Sequence, residues 1–164
     1  MAQFRSKFDT LRWTDGRLEM IDQRALPDAV TYLPFTSAQA VAEGIRDMVV
    51  RGAPAIGCAA AYGIALEALR MRNLTVDEFT RALELAFDAL AASRPTAVNL
   101  FWALSRMRAA WEQDRSSAPA RIADQLLAQA HEIFQQDIDA NRRMGRFGAT
   151  LIPDGAAILT HCNA

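Results

Sequence analysis

The sequence predicts an α+β domain, in which a small antiparallel β-meander precedes a bundle of helices, and then the first strand of a second, parallel α/β domain. Three observations support this prediction. The first 35 residues read as strands joined by turns, apolar residues then recur with a helical period as far as about residue 143, and a short apolar run follows a Pro-Asp-Gly turn at residues 153–155.

The meander is predicted from a turn between two strand-like segments. TLRW (residues 10–13) and RLEMID (residues 17–22) flank Asp15-Gly16, a dipeptide that favours a two-residue hairpin turn. VTYLPF (residues 30–35) follows and can add a third short strand. We expect this sheet to cover the larger helical part.

The first two helices meet at RGAP, residues 51–54. Thr36 and Gln39 resemble a capping box, and apolar residues over 38–49 recur at helical spacing. Pro54, a favourable first-turn residue, opens a helix predicted to run to about Met71. Its residues are nearly all small or apolar, so we expect burial on most faces, with its two glycines, Gly57 and Gly63, allowing close backbone approach.

Three further helices are predicted. Thr75 and Glu78 form a probable capping box that opens a helix to about Ala92, and Thr96 can cap the helix VNLFWALSRMRAAWEQ. A long amphipathic helix follows over residues 118–143, and Gly145 and Gly148 indicate its end.

The final apolar run, AAILTHC (residues 156–162), is predicted to be a buried strand. A strand after a Pro-Asp-Gly turn that ends in polar residues is typical of the first strand of a parallel α/β sheet. We therefore expect one domain over residues 1–150 and the start of another over 151–164, with the elements that would cover this strand missing from a truncated chain.

Composition excludes several classes of protein. Apolar residues make up 51% of the chain and the net charge is −1, so we expect no affinity for nucleic acid or for anionic membranes. The Met1 end lacks the apolar segment of an export signal, and we expect a cytoplasmic location. Cys58 and Cys162 are too few for a disulfide framework, and no Cys/His spacing indicates a zinc site, so no metal is expected.

The first candidate for chemistry is the RGAP turn. Unpaired N–H groups and the positive end of the helix dipole favour an anion at a helix start, Gly52 would let it approach the backbone, and Arg51 adds a forked cationic donor. A phosphate or carboxylate site and a tight interhelical turn with a solvated arginine are both open on this evidence.

Two weaker candidates follow. Arg94 and Pro95 precede another helix start, where a second arginine could serve the same anion, although Arg-Pro before a helix is common. Cys162 ends the predicted strand, where ligands bind in α/β sheets, and its thiol could be a nucleophile, an acid or base, or a small buried residue. His161 would face the other side of that strand.

Other conspicuous residues are expected to be structural. Cys58, among alanines, is expected to be a buried core residue, and Trp13, Trp102 and Trp111 are expected to pack in the core or on the hairpin.

Four stretches together resemble the methylthioribose-1-phosphate isomerases of methionine salvage: LRWTDGRLEMIDQRALP, IRDMVVRGAPAIGCAAAYGIAL, SRPTAVNLFWAL and DGAAILTHCNA. The resemblance covers the whole chain in order. Its superfamily also contains ribose-1,5-bisphosphate isomerases and the regulatory subunits of the translation factor eIF2B, and its members are about twice as long, with a Rossmann-like second half.

The resemblance implies roles for particular residues. Arg51, Gly52 and Ala53 match the turn that binds the sugar phosphate, Arg94 matches a second substrate-binding arginine, and Cys162 matches a catalytic cysteine. It implies conversion of a 1-phosphorylated aldose to a ketose without a cofactor. The general acid, an aspartate, and further substrate-binding residues would come from the second half, and a homodimer is expected.

We therefore predict an N-terminal fragment, or one half of a nicked enzyme, of a methylthioribose-1-phosphate isomerase that is inactive without its C-terminal half. Two alternatives stay open, a ribose-1,5-bisphosphate isomerase and a non-catalytic regulatory subunit like those of eIF2B. The presence of Cys162 and of the complete RGAPAIG stretch argues against the regulatory subunit.

Overall fold

A small antiparallel sheet opens the fold. The computed structural model describes residues 8–159. Strands β1 (Leu11–Thr14), β2 (Arg17–Ile21) and β3 (Tyr32–Phe35) pair in that order, with Leu11 opposite Met20 and Leu18 opposite Phe35. Asp15 and Gly16 both have positive φ angles, as a two-residue hairpin turn requires, which confirms the predicted hairpin.

Helices form the rest of the domain. The described residues contain five of them, in chain order α1 (Ala38–Arg46), α2 (Ala53–Met71), α3 (Val76–Ser93), α4 (Val98–Gln113) and α5 (Pro119–Ala149). The predicted α+β arrangement of a meander and a helical bundle is therefore confirmed over the described part of the chain.

Helix α2 lies at the centre of the bundle. It packs against each of the other four helices, and most of its residues are buried. Its small side chains allow the neighbouring helices to approach closely. At Gly57 a Cβ atom would lie 2.7 Å from the carbonyl oxygen of Asn99 in α4, and at Gly63 one would lie 3.0 Å from Leu90 in α3. Both glycines thus serve the close approach that the sequence predicts.

Two of the predicted helix caps are wrong by one residue. Ser37, not Thr36, caps α1, because Ser37 has extended backbone angles and its Oγ accepts a hydrogen bond from Ala40 N at 3.2 Å. Ala97, not Thr96, precedes α4, and no side chain caps that helix. The capping box of Thr75 and Glu78 at α3 is confirmed.

The ends of two helices also differ from the prediction. Helix α1 stops at Arg46, and Met48 adopts a positive φ in the turn that follows. Helix α5 continues through Gly145 and Gly148 to Ala149. A glycine costs an exposed helix only about 1 kcal/mol relative to alanine, and two of them do not end a helix of 31 residues.

The predicted final strand is not seen in its described part. Residues 156–159 belong to no helix or strand, and residues 160–162 lie outside the described residues. None of the helices within residues 8–159 has both the length and the apolar character needed to cross a membrane.

Candidate functional site

Arg51, Gly52 and Ala53 form the turn from α1 into α2. Gly52 is the N-cap residue of α2, with φ of +94° and ψ of 129°, and its carbonyl accepts the first helical hydrogen bond, from Ile56 N at 3.0 Å. This φ value favours glycine strongly over any residue with a side chain. Ala53 begins the helix, and its exposed position leaves the helix start accessible.

Gln23, just after β2, contacts Arg51 at three atoms. Its side-chain Oε1 accepts a hydrogen bond from Arg51 N at 3.2 Å, and its Nε2 donates to Arg51 O at 3.3 Å. Its backbone carbonyl accepts a third, from Arg51 Nη2 at 3.1 Å. Gln23 N also donates to Val49 O, so the segment after β2 runs beside the turn before α2.

The guanidinium of Arg51 has unused hydrogen-bonding capacity. The side chain is half-buried, and its Nε is buried without a hydrogen-bond partner in the described part of the chain. No carboxylate among residues 8–159 forms an ion pair with Arg51. A partly desolvated cation without a counter-ion favours the binding of an anion.

The starts of α2 and α4 both lack a side-chain cap. By contrast, Ser37 caps α1 and Thr75 caps α3. Within the described residues, the N–H groups of Ala53 and Ala55 in α2 and of Val98 and Asn99 in α4 therefore have neither an intrahelical partner nor a capping side chain. Pro54 has no N–H, and Leu100 N donates to Ala97 O at 2.9 Å. Helix α5 also begins without a side-chain cap, after Ala118.

Helices α2 and α4 begin beside the same groove, which has a volume of about 710 Å³. The first turns of the two helices form one wall and the C-terminal half of α5 forms the other. The residues that line it are Pro54, Gly57, Cys58, Val98, Asn99, Trp102, Ile133, Gln136, Asp137, Asp139, Ala140 and Arg143. The contact of Gly57 with Asn99 fixes how closely the two helix starts approach each other.

The α5 wall of the groove carries charge of both signs. Asp137 and Asp139 stand near Arg143, and burial raises the pKa of Asp137 above its ordinary value, with a smaller opposing effect from a hydrogen bond donated by Asn141. On the opposite wall, burial and the nearby Asp137 raise the pKa of the Cys58 thiol to about 12. Cys58 is thus a protonated, buried thiol at neutral pH, as predicted from its alanine-rich surroundings.

The predicted site residues occupy two turns, each of which leads into a helix that lines the groove, and one undescribed position. Arg94 is the C-cap residue of α3 and is half-buried, and no ion pair of Arg94 occurs within the described residues. The Arg51 and Arg94 turns lead into Pro54 and Val98, which line the groove, although neither arginine lines it. Cys162 lies outside the described residues.

Two features of this region are missing from the sequence-based expectations. Gln23 lies two residues after the largely buried strand β2, and a polar residue soon after such a strand is the signal that could have pointed to it. Trp102, expected in the core or on the hairpin, is instead 49% exposed and lines the groove. Val98, one helical turn before Trp102 on the same side of α4, is also exposed, so this side of the helix faces the groove and not the core.

Comparison with known protein families gives one family match. The profile of the Initiation factor 2 subunit family matches residues 49–164. Methylthioribose-1-phosphate isomerase from Albidiferax ferrireducens is 65% identical over 155 residues, which are 94% of this chain and 44% of that protein. The protein of the same name from Pelotomaculum thermopropionicum is 52% identical over 95% of this chain and 43% of its own length.

Two solved structures are also similar to this chain in fold and sequence. The 5-methylthioribose 1-phosphate isomerase of Pyrococcus horikoshii OT3 superposes with a TM-score of 0.85 and 40% identity, over 89% of this chain and 41% of that one. A translation initiation factor eIF-2B, subunit delta, from A. fulgidus superposes with a TM-score of 0.84 and 39% identity, over 94% and 45%. The chain spans less than half the length of each of these relatives.

Proposed function

Because the chain belongs to the initiation factor 2 subunit family, we propose that it is the N-terminal part of a methylthioribose-1-phosphate isomerase that acts in methionine salvage. The complete enzyme would convert 5-methylthioribose 1-phosphate to 5-methylthioribulose 1-phosphate. Relatives named for this activity, one of them 65% identical, support the proposal. The geometry of the Arg51 turn separately supports the binding of a phosphate group.

One observation carries the proposal most directly, the half-buried Arg51 with an unpartnered Nε beside the uncapped start of α2. In the proposed complex the substrate phosphate would accept hydrogen bonds from Arg51 and from backbone N–H groups at Gly52 and Ala53. Arg94, in the turn before α4, would bind the same phosphate or an adjacent hydroxyl. A bound anion would be the counter-ion that Arg51 lacks within residues 8–159.

The charges of the groove indicate where the phosphate would lie. Asp137 and Asp139 on α5 repel an anion, whereas the α2 and α4 starts attract one. We therefore propose that the phosphate lies at the Arg51 end of the region. The α5 wall, which also carries Arg143, would face uncharged hydroxyl groups or another part of the protein.

The proposed chemistry needs groups from beyond the N-terminal part. The phosphate on the anomeric oxygen prevents simple opening of the sugar ring, so an acid must protonate the ring oxygen as the bond to C1 breaks. A proton then leaves C2 and one is delivered to C1. The 2-hydroxyl group loses its proton as it becomes the ketone, which balances the proton given to the ring oxygen, so that aldose and ketose are isomers. Cys162 would assist this transfer or stabilise its enolate-like transition state, and a carboxylic acid from the C-terminal half would protonate the ring oxygen.

The proposal has consequences for the organisation of the protein. Residues 1–150 would be the N-terminal domain, and 151–164 would begin a Rossmann-like catalytic domain. The C-terminal half, as a continuous chain or a separate one, would be the necessary partner, and the enzyme would work as a cytoplasmic homodimer. The relatives' greater length supports the first part of this proposal.

Steady-state kinetics of the complete enzyme tests the assigned roles. A contact made equally in ground and transition states affects KM, whereas one made in the transition state affects kcat. Arg51→Ala should raise KM strongly, since a hydrogen bond to a charged group contributes roughly 1.5–3 kcal/mol. Cys162→Ser should instead reduce kcat steeply with little change in KM. Arg121→Ala is the matched control, because Arg121 also lies at a helix start but pairs with Asp114.

Four outcomes would count against parts of the proposal. Unchanged KM in Arg51→Ala would show that Arg51 does not bind the substrate phosphate. Turnover by the purified 164-residue chain would show that no C-terminal half is needed. Faster turnover of ribose 1,5-bisphosphate in a side-by-side assay would favour that isomerase. The match to an eIF-2B delta subunit makes a regulatory subunit the second candidate, and the absence of any sugar-phosphate binding would favour it.

A further inference from the structure

We propose that Gln23 is a positioning residue, which holds Arg51 in the orientation that binds the substrate phosphate. This inference rests on the proposed function, since it assumes that Arg51 binds that phosphate. It concerns a residue 28 positions away from Arg51 in the sequence, in the segment that follows β2.

The geometry is that of a two-sided clamp on one residue. The Gln23 amide bonds both to the N–H and to the carbonyl of Arg51, so it fixes the backbone of the turn immediately before Gly52. The Gln23 carbonyl bonds to Arg51 Nη2 and so also restrains the guanidinium. Backbone and side chain of Arg51 are thus both held by one residue.

A glutamine suits this role for chemical reasons. The clamp needs one acceptor and one donor on the same side chain, which an amide provides and a carboxylate does not. Gln23 is only 9% exposed, so its amide is largely removed from water and depends on protein partners for its hydrogen bonds. Alanine at this position would leave the N–H and the carbonyl of Arg51 without these partners.

The clamp would favour binding by reducing the freedom of a long side chain before the substrate arrives. An arginine has several rotatable bonds, and ordering it only upon binding would weaken the complex. The bond from Nη2 to Gln23 restricts the guanidinium, while Nε and Nη1 make no hydrogen bond within the described residues. The restrained cation therefore keeps capacity for an anion.

A double-mutant cycle in the complete enzyme tests the proposal. Gln23→Ala should raise KM for 5-methylthioribose 1-phosphate about tenfold with kcat nearly unchanged, as expected for the loss of one pre-ordered side chain. In the double variant with Arg51→Ala, KM should rise much less than the product of the two single effects, because Gln23 acts largely through that arginine. Gln23→Glu keeps the acceptor for Arg51 N and should recover part of the affinity. Gln39→Ala, which removes an exposed amide bonded to Glu43, is the matched control.

The outcomes separate this proposal from the one on which it rests. If Arg51→Ala leaves KM unchanged, the phosphate site itself is wrong. If Arg51→Ala raises KM but Gln23→Ala does not, or if the two effects simply multiply in the double variant, the positioning role is wrong and the phosphate site stands. Should Gln23→Ala not fold, Gln23→Glu serves in its place, and a KM equal to that of the wild type at unchanged kcat would overturn the clamp.

Discussion

At the residue scale, Gly52 imposes a backbone requirement that can be measured. Its φ of +94° lies where side chains are strongly disfavoured, so Gly52→Ala should lower the free energy of unfolding by about 1–3 kcal/mol. The matched control is Gly145→Ala, in an exposed part of α5 where an added Cβ meets nothing within 4 Å. This control should raise stability by about 0.5–1 kcal/mol, because alanine favours helix more than glycine does.

Urea denaturation of the two variants beside the wild type provides the comparison. A Gly52→Ala protein as stable as the wild type would mean that the turn into α2 can relax to another conformation. In that case the positive φ would not define the turn proposed to bind the phosphate.

The sequence could suggest Arg51 as a candidate anion-binding residue, whereas it could not reveal the contacts that Gln23 makes with it. An arginine and a glycine before an apolar helix form a local pattern with a local physical meaning. The contacts of Gln23 instead depend on how β2 lies against the turn before α2, which is set by packing between distant segments. The one local signal, a polar residue after a buried strand, does not specify a partner.

At the scale of elements, the cap of α3 can be tested against a residue of the same type. Thr75 Oγ1 accepts a hydrogen bond from Glu78 N, and the Glu78 carboxylate accepts one from Thr75 N at 3.1 Å. Thr75→Ala should therefore lower the free energy of unfolding by about 1 kcal/mol. Thr96→Ala should change it by less than about 0.5 kcal/mol, since Thr96 is exposed and caps no helix. Thermal unfolding of both variants gives the measurement, and equal losses would contradict the assignment of the caps.

A second prediction at this scale concerns the contact between α2 and α4. A methyl group at Gly57 would lie 2.7 Å from a backbone oxygen, which cannot move aside as a side chain can. Gly57→Ala should cost about 1–3 kcal/mol of stability and move the two helix starts apart. Gly148→Ala, with open space at its Cβ position, is the control. Chemical denaturation measures the cost, and equal stability of the two variants would mean that α4 shifts freely.

The limits of the helices show what sequence patterns can and cannot provide. Helix α4 has the limits that the apolar pattern predicts, and α3 has the predicted cap. The start of α1 differs because Thr36 and Ser37 are adjacent capping residues, and only the packed backbone selects Ser37. The meeting of α2 and α4 at one groove follows from their close crossing in space, which no local pattern encodes.

At the scale of the whole molecule, an aromatic cluster joins the sheet to the bundle and makes stability depend on pH. Trp13 of β1 stacks on Tyr62 of α2 at 5.3 Å, and the Tyr62 hydroxyl lies 2.9 Å from Nδ1 of His131 in α5. Partial burial of the His131 ring lowers its pKa below the ordinary 6.5, because burial disfavours the imidazolium.

The sign of the effect follows from this direction. The unfolded chain binds the proton more readily, so the stability provided by neutral His131 is complete above about pH 6.5 and is lost as the pH falls through the lower folded pKa. His131→Gln keeps a hydrogen-bonding partner for Tyr62 without titrating. Its unfolding free energy should therefore fall less steeply than that of the wild type from pH 7 to pH 5. The unfolding free energy of each protein is measured by urea titration at each pH. If it falls equally steeply with pH in the two proteins, this role of His131 is wrong.

The central position of α2 has a consequence for folding while the chain is being synthesised. Much of its apolar surface is covered by α4 and by residues of α5 as far along as Ile133, which leave the ribosome after α2 does. A nascent chain that ends after Gln113 would thus carry an alanine-rich helix with one uncovered side, a surface of the kind that chaperones recognise. We expect ribosome-bound chains of that length to be cleaved rapidly by a short protease pulse, and chains that extend well past Ala149 to resist it.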